Sequence, residues 1–109
     1  MKRYFSDDKF SEYIVMVGMR PVYRFTNGYG ASVIQRPGSY GYDQGLFELA
    51  VLKFDDSGSY DLDYDTPITN DVIGWLDNNQ IDEILGAISR LDKNGNLKED
   101  DPWFGSDWA

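Results

Sequence analysis

The chain of 109 residues contains no cysteine and no histidine. The first absence excludes a disulfide scaffold and a thiolate metal centre. The second removes the usual general base, the usual zinc ligand and the side chain that titrates near neutral pH. No apolar run approaches the ~18 residues of a membrane span, and the first residues lack the apolar region of a secretory signal. These features predict a soluble cytoplasmic protein with no membrane partner. Cations are scarce as well: ten Lys/Arg stand against nineteen Asp/Glu, for a net charge of −9.

That charge is unevenly placed. Residues 1–36 hold six Lys/Arg and three acids, residues 37–91 two and eleven, and residues 92–109 two and five. An acidic chain of this kind opposes direct nucleic-acid binding, which needs cations to displace counterions from phosphates. It favours a partner with a basic surface, such as a host protein or a protein–nucleic acid complex, and it also serves solubility alone. Aromatic residues make up 16% and hydrophobic residues 41% of the chain, enough to form a core without disulfides or metal.

The pattern along the chain predicts an α+β domain. Residues 1–20 read as an extension, with a short helix over "SDDKFSEY" opened by Ser6 and then a strand-like "YIVMVGM". From Val22, "VYRFT" and "YGASVIQ" flank Asn27-Gly28, a hairpin signal that suits a type I′ turn. "RPGSYGYDQG" reads as a turn or mobile loop. Residues 46–54, "LFELAVLKF", are apolar on both alternating faces, as in a central strand covered at least in part on both sides. "YDLDYD" alternates like a strand with one wet face. "TNDVIGWL" offers Thr69 or Asn70 as the cap of a short helix. Asp77 and Gln80 have capping-box spacing, and Ile81, Ile84, Leu85, Ile88 and Leu91 form one helical stripe. The expectation is an antiparallel sheet of about four strands (residues ~20–65), then a short helix and an amphipathic helix (~70–91) on one face. The core domain spans 21–92, and an acidic, aromatic tail (93–109) hangs free or docks by its aromatic rings.

Taken together, in order and spacing, "NGYGASVI", "SYG", "GLFELAVL" and "YDTPITNDVIGWL" resemble a family of small uncharacterised proteins encoded by tailed bacteriophages. The resemblance covers roughly residues 22–91. It implies a phage origin and action inside the bacterial host cytoplasm, and it implies no activity.

Four stretches invite chemistry. The glycines of residues 27–45 lie between strands and not before a helix, so they do not form a phosphate loop. Tyr29, Arg36, Tyr40 and Tyr42 in the same stretch are candidate partner contacts, since tyrosines on glycine-rich loops make interfaces at low side-chain entropy cost. Asp92, Asn94 and Asn96 have calcium-loop spacing, but Leu97 and Trp103 stand where the loop needs glycine and glutamate, so no calcium or other metal is expected. Asp61, Asp63 and Asp65 would share one strand face at steps of about 7 Å. That face suits a solvated edge or an imitation of nucleic-acid phosphates. The tail adds Trp103, Phe104 and Trp108 to its acids, a combination fit for a basic groove with apolar pockets.

The function expected from these features is non-enzymatic and needs no cofactor. The protein would bind a macromolecule, as an inhibitor of a host nucleic-acid-handling defence complex of CRISPR or restriction type. A phage assembly component and a small-molecule-sequestering protein are the alternatives.

Overall fold

The computed structural model describes residues 10–103. They form an α+β fold: one six-stranded antiparallel sheet with a single α-helix on one face. A 3-10 turn at Ser11–Tyr13 leads into β1 (Ile14–Val17), β2 (Arg20–Arg24) and β3 (Tyr29–Ile34). A second 3-10 turn (Tyr42–Gln44) precedes β4 (Phe47–Phe54), β5 (Tyr60–Leu62), β6 (Ile73–Leu76) and α1 (Asn78–Ser89).

The sheet order is β1-β2-β3-β4-β5, with β6 also beside β4. β4 is the central strand. It pairs with β3 along one edge, from Tyr29↔Lys53 to Ile34↔Glu48. Its other edge is shared, with β5 at the Leu52–Phe54 end and β6 at the Phe47–Leu49 end. Alternation along β4 feeds two apolar clusters. Phe47, Leu49 and Val51 enter the main core. Leu52 and Phe54 join Val22 on the opposite face, where Val15, Val17 and Tyr60 pack against them. The twofold apolar pattern of 46–54 therefore reflects burial on both faces. β1, within the segment read as an extension, pairs with β2 from Ile14↔Tyr23 to Val17↔Arg20 and helps to cover the second face.

α1 forms where its periodicity places it. The Asp77 carboxylate accepts from the Gln80 amide at 2.8 Å, and Gln80 Oε1 accepts from the Asp77 amide at 2.9 Å, a complete capping box. Ile81, Ile84, Leu85, Ala87 and Ile88 are buried against the sheet. Burial of each large aliphatic side chain here contributes about 1.5–3 kcal/mol. The helix end is capped from a distance: Asn27 Nδ2 donates to the carbonyls of Ile88 (2.8 Å) and Leu91 (2.9 Å).

One turn design recurs three times. In residues 25–29, 55–59 and 92–96, the first residue's amide donates to the fifth residue's carbonyl, and the fourth residue's amide donates to the first residue's carbonyl. The fourth residue is Gly28, Gly58 or Gly95, with φ of 91, 88 and 83°. This is a type I turn closed by a left-handed glycine; at 25–29 and 55–59 it suits the twist of the flanking strands, and at 92–96 it reverses the chain after α1. The Asn27-Gly28 hairpin is present, but its turn is of this kind and not type I′. Gly28 alone of the pair has positive φ, which frees Asn27 to aim its amide at the helix.

Two further expectations change. The segment 70–76, expected as a short helix, contains β6, because pairing with β4 outweighs a weak helical pattern. The strand expected over 60–65 ends at Leu62. The Asp63 amide makes one more sheet bond, to the Val51 carbonyl (2.9 Å), and the Asp65 amide then folds back onto the Asp63 carboxylate (2.8 Å). Among the described residues no helix is long and apolar enough to cross a membrane.

Candidate functional site: an aromatic platform on a strained bulge

β6 meets β4 out of step. Phe47 faces Leu76 and Leu49 faces Ile73, so three steps along β6 match two along β4. The extra residue lies in Gly74-Trp75, which makes a β-bulge. Trp75 has φ of 55° and is the only described non-glycine residue with positive φ. A left-handed conformation at a bulky residue costs about 1–2 kcal/mol. Such strain persists where surrounding contacts over-determine it, and it clusters at functional positions.

The surrounding contacts come from the glycine-rich loop. Tyr40 stacks on Trp75 with ring centroids 5.1 Å apart and planes inclined by 17°. The approach needs two glycines: a Cβ on Gly41 would lie 2.9 Å from the Trp75 Cα, and one on Gly74 would lie 2.4 Å from the Tyr40 Cβ. The Tyr40 amide donates to Glu48 Oε1 at 2.9 Å, which ties the loop to β4. The Gln44 and Leu46 amides both donate to the Gly41 carbonyl at 3.0 Å, and Gln35 Nε2 donates to the Gly45 carbonyl at 2.8 Å. The stretch expected as a turn or mobile loop is thus cross-linked internally and to its neighbours.

The rings nonetheless face solvent. Tyr40 is 51% exposed, Tyr42 40% and Trp75 54%. With Asp43 and Gln44 they line an open recess of about 270 Å³. Its side chains offer three aromatic rings, the Asp43 carboxylate, the Gln44 amide and the Ser39 hydroxyl, which suit recognition.

The other expected site residues go elsewhere. Arg36 is exposed, and its backbone closes a turn with Ser39, whose hydroxyl donates to the Arg36 carbonyl at 2.8 Å. Arg36 lines a separate small cavity with Arg20 and Pro21. Tyr29 is 2% exposed, so it is a core residue and not a surface contact. Its hydroxyl packs over Gly95, and Lys53 Nζ lies 5.8 Å from its ring centre. Asp61 lies on β5 opposite Lys53, while Asp63 and Asp65 belong to the turn beyond the strand. The three carboxylates therefore do not form the expected strand-face ladder. Trp103 is 5% exposed and joins the main core, so it too leaves the candidate surface. The Asp101 carboxylate accepts its amide at 2.9 Å and pairs with the Arg90 guanidinium at 2.7 and 3.1 Å. Phe104 and Trp108 lie outside the described residues.

Asp92 Oδ1 accepts from the Asn94 amide (2.8 Å) and the Asn96 amide (3.0 Å), so the calcium-like spacing builds a turn. Among the described residues no group of three or more carboxylates is placed to hold a metal ion.

Sequence reasoning missed Trp75, because "VIGWL" was absorbed into a helix. Its β-branched and aromatic residues interrupted by one glycine are the usual signal of a bulged strand. Comparison of the chain with protein-family models, curated proteins and solved structures finds no match.

Proposed function

We propose that this is a non-enzymatic, phage-encoded binding protein whose recognition surface is centred on Tyr40, Tyr42 and Trp75. Its target is a host nucleic-acid-handling defence complex of CRISPR or restriction type, which it inhibits by occupying a basic surface otherwise used by nucleic acid. The observation that carries the reading is the exposed Tyr40–Trp75 stack, held on strained backbone in a chain of net charge −9. Rigid, exposed tyrosine and tryptophan are typical anchors of protein interfaces. The acidic balance supplies attraction to a basic partner and repulsion of free nucleic acid. The sequence resemblance to tailed-phage proteins supports the biological setting.

The test is stoichiometric binding of the purified protein to purified defence complexes, with and without their nucleic acid. The expected result is a salt-sensitive complex that excludes nucleic acid and is lost when Trp75 and Tyr40 are replaced. Complexes that remain unbound at stoichiometric concentration, or that bind the double variant equally well, sink the proposal.

A further inference from the structure

The recess beside the platform is the size of a side chain. At about 270 Å³ it lies below the ~300 Å³ at which small-molecule pockets begin. Two of its walls are the exposed, stacked rings of Tyr40 and Trp75, and Tyr42 adds a third aromatic group. The face of an aromatic ring carries negative potential and attracts a cation. Asp43 lines the same recess from the 3-10 turn Tyr42–Gln44, and among the described residues it has no ion pair. Among the described residues no Lys or Arg lines it.

We infer that the recess receives one arginine side chain of a protein partner, its guanidinium lying on the Tyr40–Trp75 platform and paired with the Asp43 carboxylate. This rests on the reading of that surface as the binding site and names the chemistry that it selects. Arginine fits better than lysine because its planar guanidinium stacks on rings, pairs with a carboxylate in two places and is weakly hydrated. A nucleobase would also stack on such rings, but its phosphates would meet Asp43 and a net charge of −9.

The direct test titrates the intact protein with short, otherwise neutral peptides carrying arginine, lysine or glutamine, followed by NMR of the Trp75 indole N–H and the Tyr40 and Tyr42 rings. A short single-stranded oligonucleotide is a fourth probe. The expected result is saturable shifts at these rings with the arginine peptide and about 3- to 5-fold weaker binding with lysine. Binding should be lost in Trp75→Gly, which keeps the left-handed backbone without strain, and weakened several-fold in Asp43→Asn. Equal response to arginine and glutamine peptides, or binding of the oligonucleotide in preference to arginine, overturns the inference. So does an arginine response unchanged in Asp43→Asn and Trp75→Gly. If the purified defence complex binds through Tyr40 and Trp75 while the arginine peptide does not, the arginine pocket alone is rejected. If the arginine peptide binds and no defence complex does, the target is wrong and the pocket stands.

Discussion

At the scale of single residues, Trp75 and Asp101 show how local physics and tertiary context combine. Trp75 occupies a backbone conformation that favours glycine, and its ring lies outside the core. Trp75→Ala and Trp75→Gly both remove the ring, so they differ mainly in backbone strain and chain entropy. The glycine variant should be more stable by about 0.5–1 kcal/mol in urea unfolding, since relief of ~1–2 kcal/mol of strain outweighs glycine's entropy cost. A more stable alanine variant would mean that the bulge carries no strain. The Asp101 side chain is 7% exposed and that of Arg90 45%. The hydrogen bond from Arg90, more than the Trp103 amide and the charge itself, holds the Asp101 carboxyl below its ordinary range against the opposing effect of burial. A depressed carboxyl pKa stabilises the fold fully above the unfolded value, near 3.8, and loses that contribution as pH falls through the lower folded value. The stability gap between wild type and Asp101→Asn should therefore be constant above about pH 5 and shrink below about pH 4. Solvent screening at half-exposed Arg90 limits the gap from the ion pair to about 1 kcal/mol. A gap that grows in acid would contradict the assignment.

At the scale of elements, the turn at residues 25–29 and the end of α1 are one structure. Asn27 donates to the Ile88 carbonyl in the last turn of α1 and to the Leu91 carbonyl just beyond it, and accepts from the Tyr29 amide at 2.9 Å. Asn27→Ala should lower stability by about 1–2 kcal/mol, from the carbonyls and the amide left unpaired. Asn27→Asp keeps the acceptor but replaces the donor with a carboxylate against the helix C-terminus. It should be at least as destabilising at neutral pH, and chemical denaturation of the three proteins measures this directly. The sequence showed a hairpin at Asn27-Gly28, and it showed the helix from Asp77 with its buried stripe. It contained no mark that the one caps the other, because the partners lie 61 and 64 positions apart. β6 was misread for a related reason. A short apolar segment has weak local preference, and the edge of β4 decided its conformation.

At the scale of the whole molecule, both ends of the described chain close the fold. Val15 and Val17 of β1 lie against the cluster of Val22, Leu52 and Phe54. Leu97 and Trp103 complete the main core beyond α1. Trp103→Ala should cost about 3 kcal/mol or more, as truncations of buried tryptophan do, and thermal unfolding should show it. A loss under about 0.5 kcal/mol, the range of ordinary surface substitutions, would return Trp103 to the role of a free recognition residue. Removal of residues 1–18 should uncover the second apolar cluster and lower the unfolding midpoint, with added dye binding to exposed apolar surface. An unchanged midpoint would separate β1 from the stability of the fold.

The α+β class, the central strand with two apolar faces, and the capped amphipathic helix were determined by the sequence itself. Each rests on local periodicity or a cap of a few residues, which neighbouring side chains encode directly. The tyrosines of the 38–45 loop were legible as candidate contacts, but their grouping was not. Tertiary structure alone sorted the aromatic residues: it buried Tyr29 and Trp103, and it joined Tyr40 to Trp75 at the surface. The same physics lies behind both outcomes. Which ring loses its water depends on the elements that pack over it, and those elements are brought together only when the sheet closes.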